Sequence, residues 1–207
     1  MKRNILVAFS TLIVCAALGP VASTTYAQRG GGTVVTLDPV AREALITALA
    51  GPLGEYAAAA EYTAIGAAFG TNVQPYARIL LAEKQHITAL QQQCVKYGVP
   101  VPADPYAGTI TAPATLLEAA QTGVVAEVAN VAMYDDLLTK VRNYPSLVQV
   151  FTNLRAASLN NHLPAFETAV ANGGTMPPRN PCVPVGAGDG KLQTRDQDRL
   201  RDQSCAD

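Results

Sequence analysis

The sequence has no tryptophan and only two histidines, His86 and His162, among its 207 residues. Charge is sparse too: 15% of residues are Asp, Glu, Lys or Arg, and the formal net charge is −1. Such a chain offers no basic field to a polyanion, so nucleic acid is not an expected partner. Beyond residue 27 no apolar run is long enough to cross a bilayer. Strand signals are absent as well, since Val34-Val35 is too short to count. The four cysteines form no close pair, which excludes a zinc-ribbon spacing.

What is present begins with an export signal. Lys2 and Arg3 give a positive start, Ile5 to Leu18 is almost wholly apolar, and Thr25-Tyr26-Ala27 offers small residues for cleavage. Residues 1–27 therefore read as a cleavable signal peptide, and the protein as secreted or held in the periplasm or cell envelope. Export permits a disulfide. Of Cys94, Cys182 and Cys205, the last two lie in a polar tail, and a Cys182–Cys205 bridge is the expected pairing. The remaining chain of about 180 residues suits one domain with its own core.

Helical punctuation divides that chain. A Gly-rich leader covers 28–36, and Asp38-Pro39 supplies an N-cap followed by proline at the first helical position. The first helix breaks or kinks at Gly51-Pro52 and resumes to Gly70. Pro75 opens a second helix that Gly98 stops. Residues 98–114 carry Pro100, Pro102, Pro105 and Pro113 and read as a loop. At about 17 residues it exceeds the usual bundle connection and suits a crossover, with helices two and three parallel. Pro113 starts the third helix, which runs to about Arg142. After Asn143-Tyr144-Pro145 a fourth reaches Ala171, and Gly173-Gly174 ends it. The expected domain is 37–173, an all-α four-helix bundle, and 174–207 is expected to be a flexible tail.

Chemistry concentrates on the core stripes. Glu83 and His86 stand three apart, about 60° round a helix, so both can reach one ion. Glu55 has Tyr62 seven residues on, and Glu127 has Asn130 three and Tyr134 seven residues on. Glu61 lies about 120° round from Glu55 and reads as a rim residue. His162 sits among Leu159, Leu163 and Phe166. Glutamate precedes histidine by 31 residues in the first half and by 35 in the second. Each residue also has a plain reading: Glu127 can pair with Arg155, and His162 alone is more simply a hydrogen-bonded packing residue. Together, one group per helix, they converge at mid-bundle, where a buried carboxylate needs a partner or a metal.

These stretches (Leu53-Gly54-Glu55-Tyr56-Ala57 with Tyr62, Ala82-Glu83-Lys84-Gln85-His86, Gly123-Val124-Val125-Ala126-Glu127 and Ser158-Leu159-Asn160-Asn161-His162) resemble the ferritin-like superfamily. The likeness is strongest to its exported bacterial and archaeal domain of unknown function. It is more distant to rubrerythrin-like di-iron proteins. The resemblance covers about 37–172. It implies a ferritin-like bundle with a crossover between helices two and three. It also implies metal ligands at Glu55, Glu83, His86, Glu127 and His162, with Tyr62, Asn130 and Tyr134 around them. A full di-iron site would have Glu three residues before His162, where Leu159 stands, and another Glu at Asn130. The second metal position is therefore expected to be weak or empty. Carboxylate with imidazole suits Fe, Mn or Zn, and the resemblance puts Fe first. The implied function is binding of one or two non-haem ions, with ferroxidase-like or peroxide-related chemistry if redox-active. The expected partners are the metal and, as a homodimer, a second copy. The rival reading is a metal-free helical scaffold that presents a face to a protein partner.

Overall fold

The structure is a computed structural model, and it describes residues 35–177. The expected signal segment, most of the expected leader and the cysteines of the expected Cys182–Cys205 bridge lie outside the described residues. The described chain is all-α, with no strand among its residues: α1 (Pro39–Ala50), α2 (Glu55–Phe69), α3 (Tyr76–Tyr97), α4 (Leu116–Lys140), α5 (Pro145–Ala157) and α6 (Leu163–Ala171). A π-helical turn, Ser158–His162, joins α5 to α6.

Local chemistry explains the boundaries. The Asp38 carboxylate accepts from the Ala41 amide at 2.8 Å, capping α1. Gly51-Pro52 ends it, so the first helix is two helices rather than one kinked one. A Cβ on Gly54 would stand 2.6 Å from the Ala48 carbonyl oxygen and 2.8 Å from that of Thr47. Only glycine lets α2 start this close to the end of α1, and α2 starts at Glu55. The fourth-helix expectation needs the same kind of correction at its middle. Pro164 has no N–H and would crowd the carbonyl of the preceding turn in a regular helix. The chain widens there instead, and the Leu163 N–H reaches back to the Ser158 carbonyl, five residues earlier. At the third helix, Thr115 rather than Pro113 makes the start, its hydroxyl accepting from the Glu118 amide at 3.1 Å.

The apolar interior comes in two pieces. One gathers α1 with Tyr56, Leu90, Cys94, Tyr134, Leu137, Leu147 and Phe151. The other gathers Tyr62, Ile65, Tyr76, Ile79, Ala119 and Phe166. Along α3 the order is Ile79, then Glu83 and His86, then Leu90, and α4 and the α5–α6 run likewise carry polar residues between the two pieces. A belt of buried polar groups thus crosses the middle of the core.

The ends of the helices are tied by hydrogen bonds. Tyr76, at the start of α3, donates to the carbonyl of Leu116 and lies 2.8 Å from that of Gly174 as well. The Met176 amide donates to the Gln74 carbonyl at 3.0 Å. Gly174 and Met176 are thus hydrogen-bonded to the first residue of α3 and to Gln74 just before it. Gly123 packs α4 on α6: a Cβ there would lie 2.8 Å from the Phe166 ring. Gly123→Ala is expected to cost about 1–3 kcal/mol by urea denaturation, the range for forcing extra volume into a packed core.

Candidate functional site

Six polar residues are buried in the belt: Glu55, Glu83, Glu127, Asn130, Ser158 and His162. Glu55 and Glu83 are each 2% exposed and Glu127 3%. His86 is half-buried beside them. All five metal-ligand candidates read from the sequence lie in this belt.

The carboxylates and imidazoles form two overlapping groups. His86 Nδ1 lies 2.8 Å from Glu83 Oε2 and 3.2 Å from Glu55 Oε2. His162 Nδ1 lies 3.1 Å from Glu83 Oε1 and 3.5 Å from Glu127 Oε1. The two rings stack 5.6 Å apart at 26°. One donor atom each from Glu55, Glu83 and His86 falls within 4.8 Å of the others, and the same holds for Glu83, Glu127 and His162. Glu83 belongs to both groups and turns a different oxygen to each.

Both tyrosines expected around the site are there, and they cross over. Tyr62, seven residues after Glu55, donates to Glu127 Oε1 at 2.9 Å. Tyr134, seven residues after Glu127, donates to Glu55 Oε1 at 2.5 Å. Burial, reinforced by Glu127 at Tyr62 and by Glu55 at Tyr134, pushes both phenols well above their usual range, so each remains a donor. Each carboxylate is thus held from the opposite half of the chain; Glu55 turns its other oxygen to His86, whereas Glu127 turns the same Oε1 to Tyr62 and His162.

Proton positions follow from the same contacts. Burial disfavours a charged His86, but hydrogen bonds to Glu55 and Glu83 outweigh it and raise the group to about 10. At His162 burial is likewise outweighed, by Glu127 and Glu83, and the group rises to about 9. Burial and the neighbouring Glu83 charge push Glu55 up to about 8. Burial also opposes ionisation of Glu83, yet hydrogen bonding with Glu55 and His86 and the nearby His162 imidazole hold its carboxyl well below the ordinary value. Glu83 is the anionic hub, and the imidazoles around it carry protons that a cation would replace.

The site corrects three sequence readings. Arg155 does not pair with Glu127; it clamps Asp135 at 2.6 and 3.0 Å on the surface. Leu159 does not occupy a ligand position. The π-helical turn rotates it outward to 37% exposure and brings Ser158 inward to 4%. Asn130 does not face an ion as a substitute carboxylate. Its amide nitrogen donates to the Leu53 carbonyl at 3.0 Å and its oxygen accepts from Ser158 Oγ at 2.9 Å, fixing the α1–α2 junction to the π-helical turn. Leu159→Glu is accordingly expected to leave metal stoichiometry unchanged in a metal-content assay, since the new carboxylate would stand in solvent.

Glu61 is the residue the sequence reading underrated. It lines a small opening between α2 and α4 together with Glu83, Glu127, Tyr62 and Asn130. Burial and the Glu127 charge raise its carboxyl above the ordinary value. Its step of six from Glu55 placed it on the rim by angle alone. Its nearness to Glu127 depends on the packing of α2 against α4, and no signal in the sequence gives it. Comparison with protein-family models, with curated proteins and with solved structures finds no match to this chain.

Proposed function

We propose that the belt is a metal centre in a ferritin-like four-helix bundle, holding one or two non-haem ions. In this reading α1 and α2 together form the first helix of the bundle. The segment α5, π-helical turn and α6 forms the fourth, and residues 98–115 form the crossover. Glu55, Glu83 and His86 would hold one ion and Glu83, Glu127 and His162 the other, with Glu83 common to both groups. Carboxylate and imidazole donors suit Fe, Mn or Zn, and Fe is the first choice by resemblance. Bound iron would supply redox chemistry toward oxygen or peroxide. The protein would then be a ferroxidase-like or peroxide-consuming oxidoreductase exported from the cytoplasm.

One observation carries the reading. His162 Nδ1 is buried and has no hydrogen-bond partner, although two carboxylate oxygens stand 3.1 and 3.5 Å away. A buried polar atom without a partner costs about 1–3 kcal/mol, and an ion between it and those oxygens would remove that cost. A buried imidazole nitrogen left unsatisfied among buried carboxylates does not suit a plain scaffold, in which it would have its own hydrogen bond.

The test is metal content by plasma mass spectrometry after reconstitution with Fe(II), Mn(II) or Zn(II), alongside His162→Ala. Bound metal that falls in the variant supports the centre. No bound metal under any of the three conditions leaves the metal-free helical scaffold as the function, with a melting temperature indifferent to chelators.

A further inference from the structure

The histidine side of the belt opens on a larger space than the carboxylate side. A cavity of about 790 Å³ lies between α3 and the run from Ala157 to Ala165, with Thr175, Met176 and Pro177 also in its wall. Sites for small organic ligands span about 300–1,000 Å³. The walls are mainly apolar, with Val73, Ile79, Ala165 and Met176 prominent. His86 and His162 both line it. Each ring turns Nδ1 to the carboxylates, so the opposite edge is left to the cavity.

The charge of the lining is one-sided. No Asp or Glu lines the cavity, and Arg78 does. Arg78 is exposed and takes part in no ion pair among the described residues. Gln74, also in the wall, has its amide oxygen buried without a hydrogen-bond partner. An apolar chamber with an unpaired guanidinium suits an amphiphilic anion, whose carboxylate belongs on Arg78 and away from the Gln74 oxygen, itself an acceptor. Guanidinium binds carboxylate through a planar, two-pronged pair that no alcohol or ammonium can imitate.

We infer that this cavity binds a small organic monocarboxylate, its apolar body against Val73, Ile79 and Met176 and its carboxylate on Arg78. The inference does not depend on a metal being bound, because the cavity is complete without one.

Isothermal titration of the full chain with hexanoate, hexan-1-ol and hexylamine tests it, in metal-free and zinc-loaded samples. Hexanoate is expected to bind one to one in the metal-free protein, with the alcohol and the amine at least about tenfold weaker. Arg78→Gln and Arg78→Glu should each weaken hexanoate by about tenfold or more without moving the melting temperature. Ala165→Phe should block all three probes by filling the chamber. Equal affinity for the three probes would overturn the inference, as would no binding or hexanoate affinity unchanged by Arg78→Glu. Binding seen only after removal of residues 178–207 would also overturn it, making the chain's own segment the occupant.

Discussion

Glu83→Gln is expected to empty both metal positions at once, whereas Glu55→Gln and Glu127→Gln each empty one. The difference follows from geometry: Glu83 presents Oε2 to His86 and Oε1 to His162, while Glu55 and Glu127 each serve a single group. Glutamine keeps the volume of the side chain and loses the charge. Two divalent ions bring four positive charges to three carboxylates, so removing the shared one leaves neither ion balanced. Metal content per chain should fall to none in Glu83→Gln, whereas each single-group variant should lose at most one equivalent. Circular dichroism should show the helices intact in all three. If Glu83→Gln retains one full equivalent, the carboxylate does not bridge, and the two groups work as separate sites.

The stabilisation conferred by metal is expected to grow as pH rises from about 6.5 to 9.5. In the metal-free protein His86 and His162 have folded values of about 10 and about 9, above the unfolded 6.5. Groups raised in this way stabilise the fold fully below 6.5, and the contribution is lost as pH climbs through the folded values. Glu55, raised from 4.5 to about 8, acts in the same direction, because its protonated form is favoured in the fold. Glu83 is lowered, so its contribution is present above 4.5 and is lost only in acid. Metal-free protein should therefore weaken across the alkaline range, by an amount on the order of a few kcal/mol. An ion that replaces the protons removes the dependence, and its affinity rises as the protons leave. Melting curves with excess Zn(II) and with chelator, taken at half-unit steps, measure the gap directly. A gap that is constant or shrinks with pH would mean that ions and protons do not compete for these imidazoles.

Much of the site was legible because its parts obey helical arithmetic. Glu83 and His86 share a face by spacing alone, and the two glutamates have tyrosines at equal steps of seven. Scarcity helped as well: with only two histidines, each amphipathic half could hold just one. The all-α class follows from clear caps at Asp38, Gly98 and Pro145 and from apolar spacing between them. What could not be read depends on the third dimension. The crossing of Tyr62 to Glu127 and of Tyr134 to Glu55 joins residues 65 and 79 positions apart, and no local pattern encodes that pairing. The π-helical turn was hidden because spacing rules assume a regular helix. Pro164 was visible in the sequence, but its effect on the preceding turn was not counted, and Leu159 was given a place that belongs to Ser158. Asn130 was seen as a missing ligand when its role is to join the α1–α2 junction to the π-helical turn.

The polar belt also divides the evolutionary problem that this chain has to solve. Since Leu147 and Phe151 never share a neighbourhood with Tyr76 and Phe166, a volume change at one end demands no compensating change at the other. Substitutions at the two ends should combine additively, as distant and independent sites do. Each end is thus free to drift on its own. The handful of residues at the waist, and the helix register that brings them together, is the part of the sequence that has to move as a unit or not at all.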